Sequence, residues 1–346
     1  MTKVLIGILL ILSLPVSAAA AEIVAPSVPE SGSAYMPQTT DSFAEGLREL
    51  LHNSLNLVHP ELEAAVQVIS CILFSAMLVS LLTIISEKEN AAISIAGAAV
   101  IAAAMFQHTD SMVRCASDAV WEICEYGKLL SPVLTTALAA QGGITASAAL
   151  YMGTTTFITF LSVLVSKLIV PMVYIFLAFS TAHCATGGEV LKKFSDAVKH
   201  VLSWGLKTLM IVFTTYMSVT GVVSGTTDTA ALKAAKLTIS SAVPVVGSIL
   251  SDASESVLIS MGVMKNAAGV YGILAVLAVF VGPFVKIGMQ YLLLKAASVI
   301  CSLFASKNVA ALVEDFSTAM GLMLAMVAAG CVMVLISTVC FLKGIG

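Results

Sequence analysis

The chain has 346 residues, of which 59% are hydrophobic and only 11% charged, with a formal net charge of −3. Soluble domains carry roughly 25% charged residues because their surfaces face water, so this composition excludes an ordinary soluble domain, and without a basic stripe it also excludes a nucleic-acid binder. Long continuous apolar runs exclude a barrel of short alternating strands. What remains is an all-α, polytopic transmembrane helix bundle, in which every backbone polar group is satisfied within its own helix.

In chain order, residues 1–21 read as a signal peptide. Lys3 supplies the positive start, Val4 to Leu14 the apolar core, Pro15 a breaker and Ser17 to Ala21 a small-residue cleavage site. Residues 22–64 form an exported leader, with Pro26, Pro29 and Pro37 in its first part. Its second part is an amphipathic helix opened by a capping box, Ser42 to Glu45. Phe43, Leu47, Leu50, Leu51, Ser54 and Val58 share one face. The polytopic membrane domain occupies 65–346.

Runs of about 20 apolar residues mark spans: Ala65–Ser86, Thr154–Ala182, Val201–Ser224, Gly269–Val285, Ile287–Phe304 and Met320–Phe341. Ala91–Phe106 is the second arm of a hairpin turned at Glu87-Lys88-Glu89-Asn90, which makes about seven spans. Two segments read as broken or re-entrant helices. Residues 131–152 centre on Gln141-Gly142-Gly143, and residues 236–261 contain Pro244, Gly247, Asp252 and Glu255. Ser131-Pro132-Val133 and Val243-Pro244-Val245 each lead, some 20 residues on, to Met-Gly (Met152-Gly153 and Met261-Gly262), the pattern of a parallel internal repeat.

An exported start places Glu87–Asn90 inside and Gln107–Leu130 outside. His183–His200 then lies inside, where Lys192, Lys193 and Lys199 form the densest basic cluster, as the positive-inside rule requires. The same count puts Lys286 at a cytoplasmic turn and Lys343 inside. Two further amphipathic helices lie in the connecting segments. In one, Met112, Cys115, Ala119 and Ile123 oppose Asp110, Arg114, Asp118 and Glu125. In the other, Val190, Leu191, Phe194, Val198 and Val201 oppose Lys192, Lys193, Asp196 and Lys199. Each suits either rest on lipid or docking of a partner; the candidate docking residues are Phe194, Lys192 and Lys193.

The chain lacks a Walker A loop and an H-E-x-x-H motif, and its five histidines are scattered. Gly221-Val222-Val223-Ser224-Gly225 resembles a serine elbow only loosely. These observations point away from catalysis, a metal or a cofactor. Of the seven cysteines, Cys115 and Cys124 could meet in an exported loop, but at nine residues apart on one helix they face different ways. Charges inside apolar runs are the better clue, because each costs at least ~2.5–3.5 kcal/mol at mid-bilayer. Lys167 and Lys295 are the candidate intramembrane charges. Asp252 and Glu255 have capping-box spacing, or else face a polar cavity and neutralise Lys167 or Lys295.

The run from Gly225 through Asp228, Ala230, Lys233 and Lys236 to Pro244, Gly247 and Asp252 resembles the signature of the stage III sporulation protein AE family. The signal peptide, the exported leader and the polytopic remainder are similar to that family too. The resemblance implies a multispanning platform or permease-like subunit in a channel between the mother cell and the engulfed forespore of an endospore former. Its implied partners are other membrane and ring-forming proteins of the same complex, a cytoplasmic ATPase and the lipid bilayer; its implied place is the mother-cell membrane around the forespore. The family brings no catalytic residues with it. Asp228, Lys233, Lys236, Pro244, Gly247, Asp252 and Glu255 make up the candidate functional segment. Two rival readings stand beside the platform: a self-sufficient secondary transporter of a small solute, and a scaffold that conducts nothing.

Overall fold

The computed structural model describes residues 25–37, 43–85, 91–242 and 247–343; side chains at 57, 83–94 and 221–265 are not described. The signal-peptide segment, Ser42 of the capping box, the Glu87–Asn90 turn and Pro244 therefore lie outside the described residues. Every regular element among those described is helical. After a single turn, α1 (Glu30–Ser33), come α2 (Phe43–Ile85), α3 (Ala91–Ala140), α4 (Ile144–Leu164), a π-helical turn (Val165–Ile169) and α5 (Val170–Thr186). The chain then forms α6 (Glu189–Ala242), α7 (Gly247–Phe304) and α8 (Lys307–Lys343). The π turn joins α4 to α5 without a break, so the described chain makes six long legs.

These legs are long for a membrane. Helix α3 has 50 residues and α7 has 58, or about 75 and 87 Å at 1.5 Å per residue, against a hydrocarbon core of about 30 Å. Among the described residues, four helical stretches are long and apolar enough to cross: Phe43–Leu82, Ile144–Thr186, Asn266–Phe304 and Lys307–Lys343. Tight turns set the up-and-down order. Gln141, Gly142 and Gly143 end α3, where Gly142 takes a φ of 95° that a side chain would resist. The expected break in 131–152 is therefore a three-residue turn between two long helices. Pro132 lies inside α3 and breaks nothing.

Gly187, with φ 68°, makes the turn from α5 to α6 and lies beside Asn308. Ser80 of α2 donates to the Phe304 carbonyl at 2.6 Å. The end of α2, the α5–α6 turn and the α7–α8 turn therefore gather at one end, and the Gln141–Gly143 turn lies at the other.

Three expectations are corrected. Gly269–Val285 and Ile287–Phe304 are one continuous helix, α7, and no turn exists at Lys286. The charge that suggested a turn sits 3.9 Å from Glu61 of α2 instead. With one crossing fewer, Lys343 is at the far end of α8 from the basic cluster, beside the segment in which Leu342 touches Gly269. Lys192 and Lys343 therefore cannot share a side. Second, the Met112–Ile123 face does not rest on lipid. Met112, Ala119 and Ile123 are buried in the main core, along with Val113, Ala116 and Val120. Third, the leader helix is not a separate element. It runs through Pro60 into the first span as α2, and its Leu50 is buried against Ala278 and Val281 of α7.

The core runs the length of the bundle around α8, whose Phe316, Met320, Met323, Met326 and Phe341 are fully buried. Phe106 meets the Phe316 ring edge-on, centroids 6.2 Å apart, and Phe157 meets Phe213 at 5.4 Å.

Candidate functional site

The bundle carries its described polar chemistry in two places. The first is a belt at mid-height, where α3 turns from apolar to charged after Phe106. Asp110 accepts the Tyr174 hydroxyl at 2.6 Å and the Arg114 Nε–H at 2.9 Å. The Tyr174 bond first, then Arg114, holds the Asp110 carboxyl below its usual range. About three turns on, Lys128 donates to Glu125 at 2.7 Å. The leader strap closes over this stretch: Ser31 bonds Glu122, and Tyr126 donates to the Pro26 carbonyl at 3.4 Å.

Behind the belt, between α2, α3 and α7, His108 lies among Gln290, Lys286 and Glu61. Gln290 is 2% exposed, and the His108 Nε2 atom is buried without a partner. Burial lowers the His108 pKa, because desolvation penalises the imidazolium. Cys115 and Cys124 are free thiols on this helix, and burial pushes Cys124 up to about 12.

The second place is the end that holds the α5–α6 and α7–α8 turns. Lys295 of α7 is paired with Glu314 of α8, which also accepts the Ser298 hydroxyl at 2.7 Å. The expected neutralisation of Lys295 by Asp252 or Glu255 is therefore corrected: an acid on the neighbouring helix reaches it, nineteen residues along the chain. Ser180 of α5 bonds Asp315. Lys192 and Lys193 are exposed on the first turns of α6. Phe194 is 55% exposed yet stacks on Phe179, centroids 5.6 Å apart and planes 18° from parallel, so part of its surface is spent inside the chain.

Lys167 sits in the π turn, exposed, and forms no ion pair among the described residues. Asp228, Lys233 and Lys236 fall on α6, while Gly247, Asp252 and Glu255 fall on α7. These helices run through the motif on both sides of residues 243–246, and the side chains from 221 to 265 are outside the description. Sequence reasoning missed the Glu61–Lys286 and Tyr174–Asp110 contacts. Only the i, i+4 spacing of Asp110 and Arg114 gave any signal, because the other partners come from distant helices.

The family model for stage III sporulation protein AE matches residues 33–344. The chain belongs to that family. Stage III sporulation protein AE of Bacillus subtilis strain 168 is 21% identical over 188 residues, which is 54% of this chain and 47% of that protein. The matched stretch thus spans about half the length of that relative. No solved structure matches. Family and helices together mark a sporulation protein of the membrane: the matched region contains all four stretches long and apolar enough to cross.

Proposed function

We propose that this member of the stage III sporulation protein AE family is a non-enzymatic membrane platform, or permease-like subunit, of a mother cell-to-forespore transport complex. The observation that carries the reading is family membership over residues 33–344 of a chain built from long apolar legs. The platform sits multi-pass in the mother-cell membrane around the forespore. Its signal peptide is removed at 1–21, the segment before Phe43 is exported, and the membrane part begins with α2, which runs unbroken from Phe43 to Ile85. The end bearing Lys192, Lys193 and Lys199 faces the mother-cell cytoplasm, in keeping with positive-inside retention.

There the exposed lysines and the outer face of Phe194 offer a docking surface for a cytoplasmic ATPase. Ring-forming and membrane partners of the same complex meet the exported half. The functional segment runs from Asp228 through Lys233, Lys236, Pro244 and Gly247 to Asp252 and Glu255.

Purification of the tagged chain from sporulating cells tests this reading. Ring-forming proteins and an ATPase should co-purify, and charge reversal at Lys192 and Lys193 should lose the ATPase while protein level stays normal. Solute uptake by the chain alone in liposomes would replace the platform with a secondary transporter. Full sporulation after deletion of the gene would remove the role altogether.

A further inference from the structure

An open cleft of about 370 Å³ lies between α3 and the α4–π segment, at the height of the charged belt. Ser117, Asp118, Val120 and Trp121 line it from α3, and Ser162, Val165 and Ser166 line it from the other wall. Its volume is that of a small-molecule site. The π turn begins where the cleft does. The Val165 N–H is shared between the Leu161 and Ser162 carbonyls, and the Val170 N–H reaches back five residues to the Val165 carbonyl. This extra residue widens the helix beside the cleft, and such insertions recur at functional sites.

The lining has the chemistry of one ligand class. Asp118 is exposed and has no ion pair or hydrogen bond among the described residues; Arg114, one turn away, is bonded to Asp110 at 2.9 Å and reaches Asp118 only by longer-range attraction. The Ser166 hydroxyl donates to the Ser162 carbonyl at 2.9 Å, and its oxygen, on the cleft lining, keeps its capacity to accept. Trp121, 58% exposed, lines the cleft with its indole, three residues along α3 from Asp118. Lys167 belongs to the bulge but not to the lining. A free carboxylate, acceptor hydroxyls and an indole together suit a cation that is both a hydrogen-bond donor and organic. An inorganic cation gains nothing from the apolar wall, and an anion meets Asp118. The geometry points to a binding site for a small primary ammonium compound, held by Asp118, Ser166 and Trp121.

The two tryptophans of the chain make the test direct. In a Trp204→Phe variant of the full chain, purified in detergent, Trp121 is the sole indole reporter. Titration with methylammonium should change its emission saturably, whereas sodium chloride at equal ionic strength and neutral tert-butanol should not. Asp118→Asn keeps the shape and removes the charge, so it should weaken the midpoint by about tenfold or more; Ser166→Ala should weaken it less. Calorimetry with the Trp121→Leu variant should show a similar loss of affinity. A response that never saturates, equal potency of sodium, or an unchanged midpoint in Asp118→Asn overturns the site. Asp118 is exposed, so a variant that melts like the parent keeps the comparison valid.

Discussion

Gly153 offers the sharpest test of the packing between α4 and α6. A Cβ added there would overlap Cε1 of Tyr216 and lie 2.9 Å from its Cδ1 and Cζ. In Gly153→Ala the ring must therefore leave its seat. It gives up the hydrogen bond it donates to the Ala149 carbonyl at 3.1 Å, about 1 kcal/mol net. It also gives up its contact with the Phe157 ring at 5.6 Å, about another 1 kcal/mol. Residual strain adds roughly 1 kcal/mol, and the better helix propensity of alanine returns about 1 kcal/mol. The expected net loss is about 2 kcal/mol, read by reversible unfolding in mixed micelles. In a Tyr216→Ala background the obstacle is gone, so the same change should be neutral or stabilise by up to about 1 kcal/mol. An equal effect of Gly153→Ala in both backgrounds would refute the reasoning.

Three further outcomes are expected. In a background without native thiols, with the chain expressed in the cytoplasmic membrane of vegetative cells, cysteine at Lys343 should react with an impermeant thiol reagent added to intact cells while cysteine at Lys192 should not; labelling of both, or of neither, would contradict the antiparallel α8 leg. Stability should fall as pH drops below about 6.5, because the folded chain keeps His108 neutral and binds fewer protons than the unfolded chain. The fall levels off once the pH passes below the folded pKa, and a His108→Gln variant that melts with the same pH slope as the parent would show that His108 does not drive it. Asp252→Asn, which caps a helix as well as Asp does, should impair spore formation at normal protein abundance if its charge matters; wild-type sporulation would leave it a cap.

The composition alone determined that the chain is a bundle of apolar helices, since a chain with only 11% charged residues cannot clothe a surface that faces water on all sides. The break at Gln141-Gly142-Gly143 was legible for a similarly local reason, since glycine freely adopts the positive φ of Gly142, but that it is a turn between two long helices and not a re-entrant segment was not. The basic cluster at Lys192 and Lys193 was legible as well, because charge asymmetry is a property of neighbouring residues. Lys286 was misleading for the opposite reason. A lone lysine between two apolar runs looks like a turn until Glu61, more than two hundred residues earlier in the chain, is placed beside it. The same holds for Lys295 with Glu314, and for the Met112–Ile123 face, which any apolar surface could have covered, lipid or protein. Period and hydropathy fix which face of a helix is apolar, but they carry no information on what lies against it. That was decided by the tertiary structure, because a charge finds its partner through space, and only packing chose α2 for Lys286 and the inside of the bundle for α3.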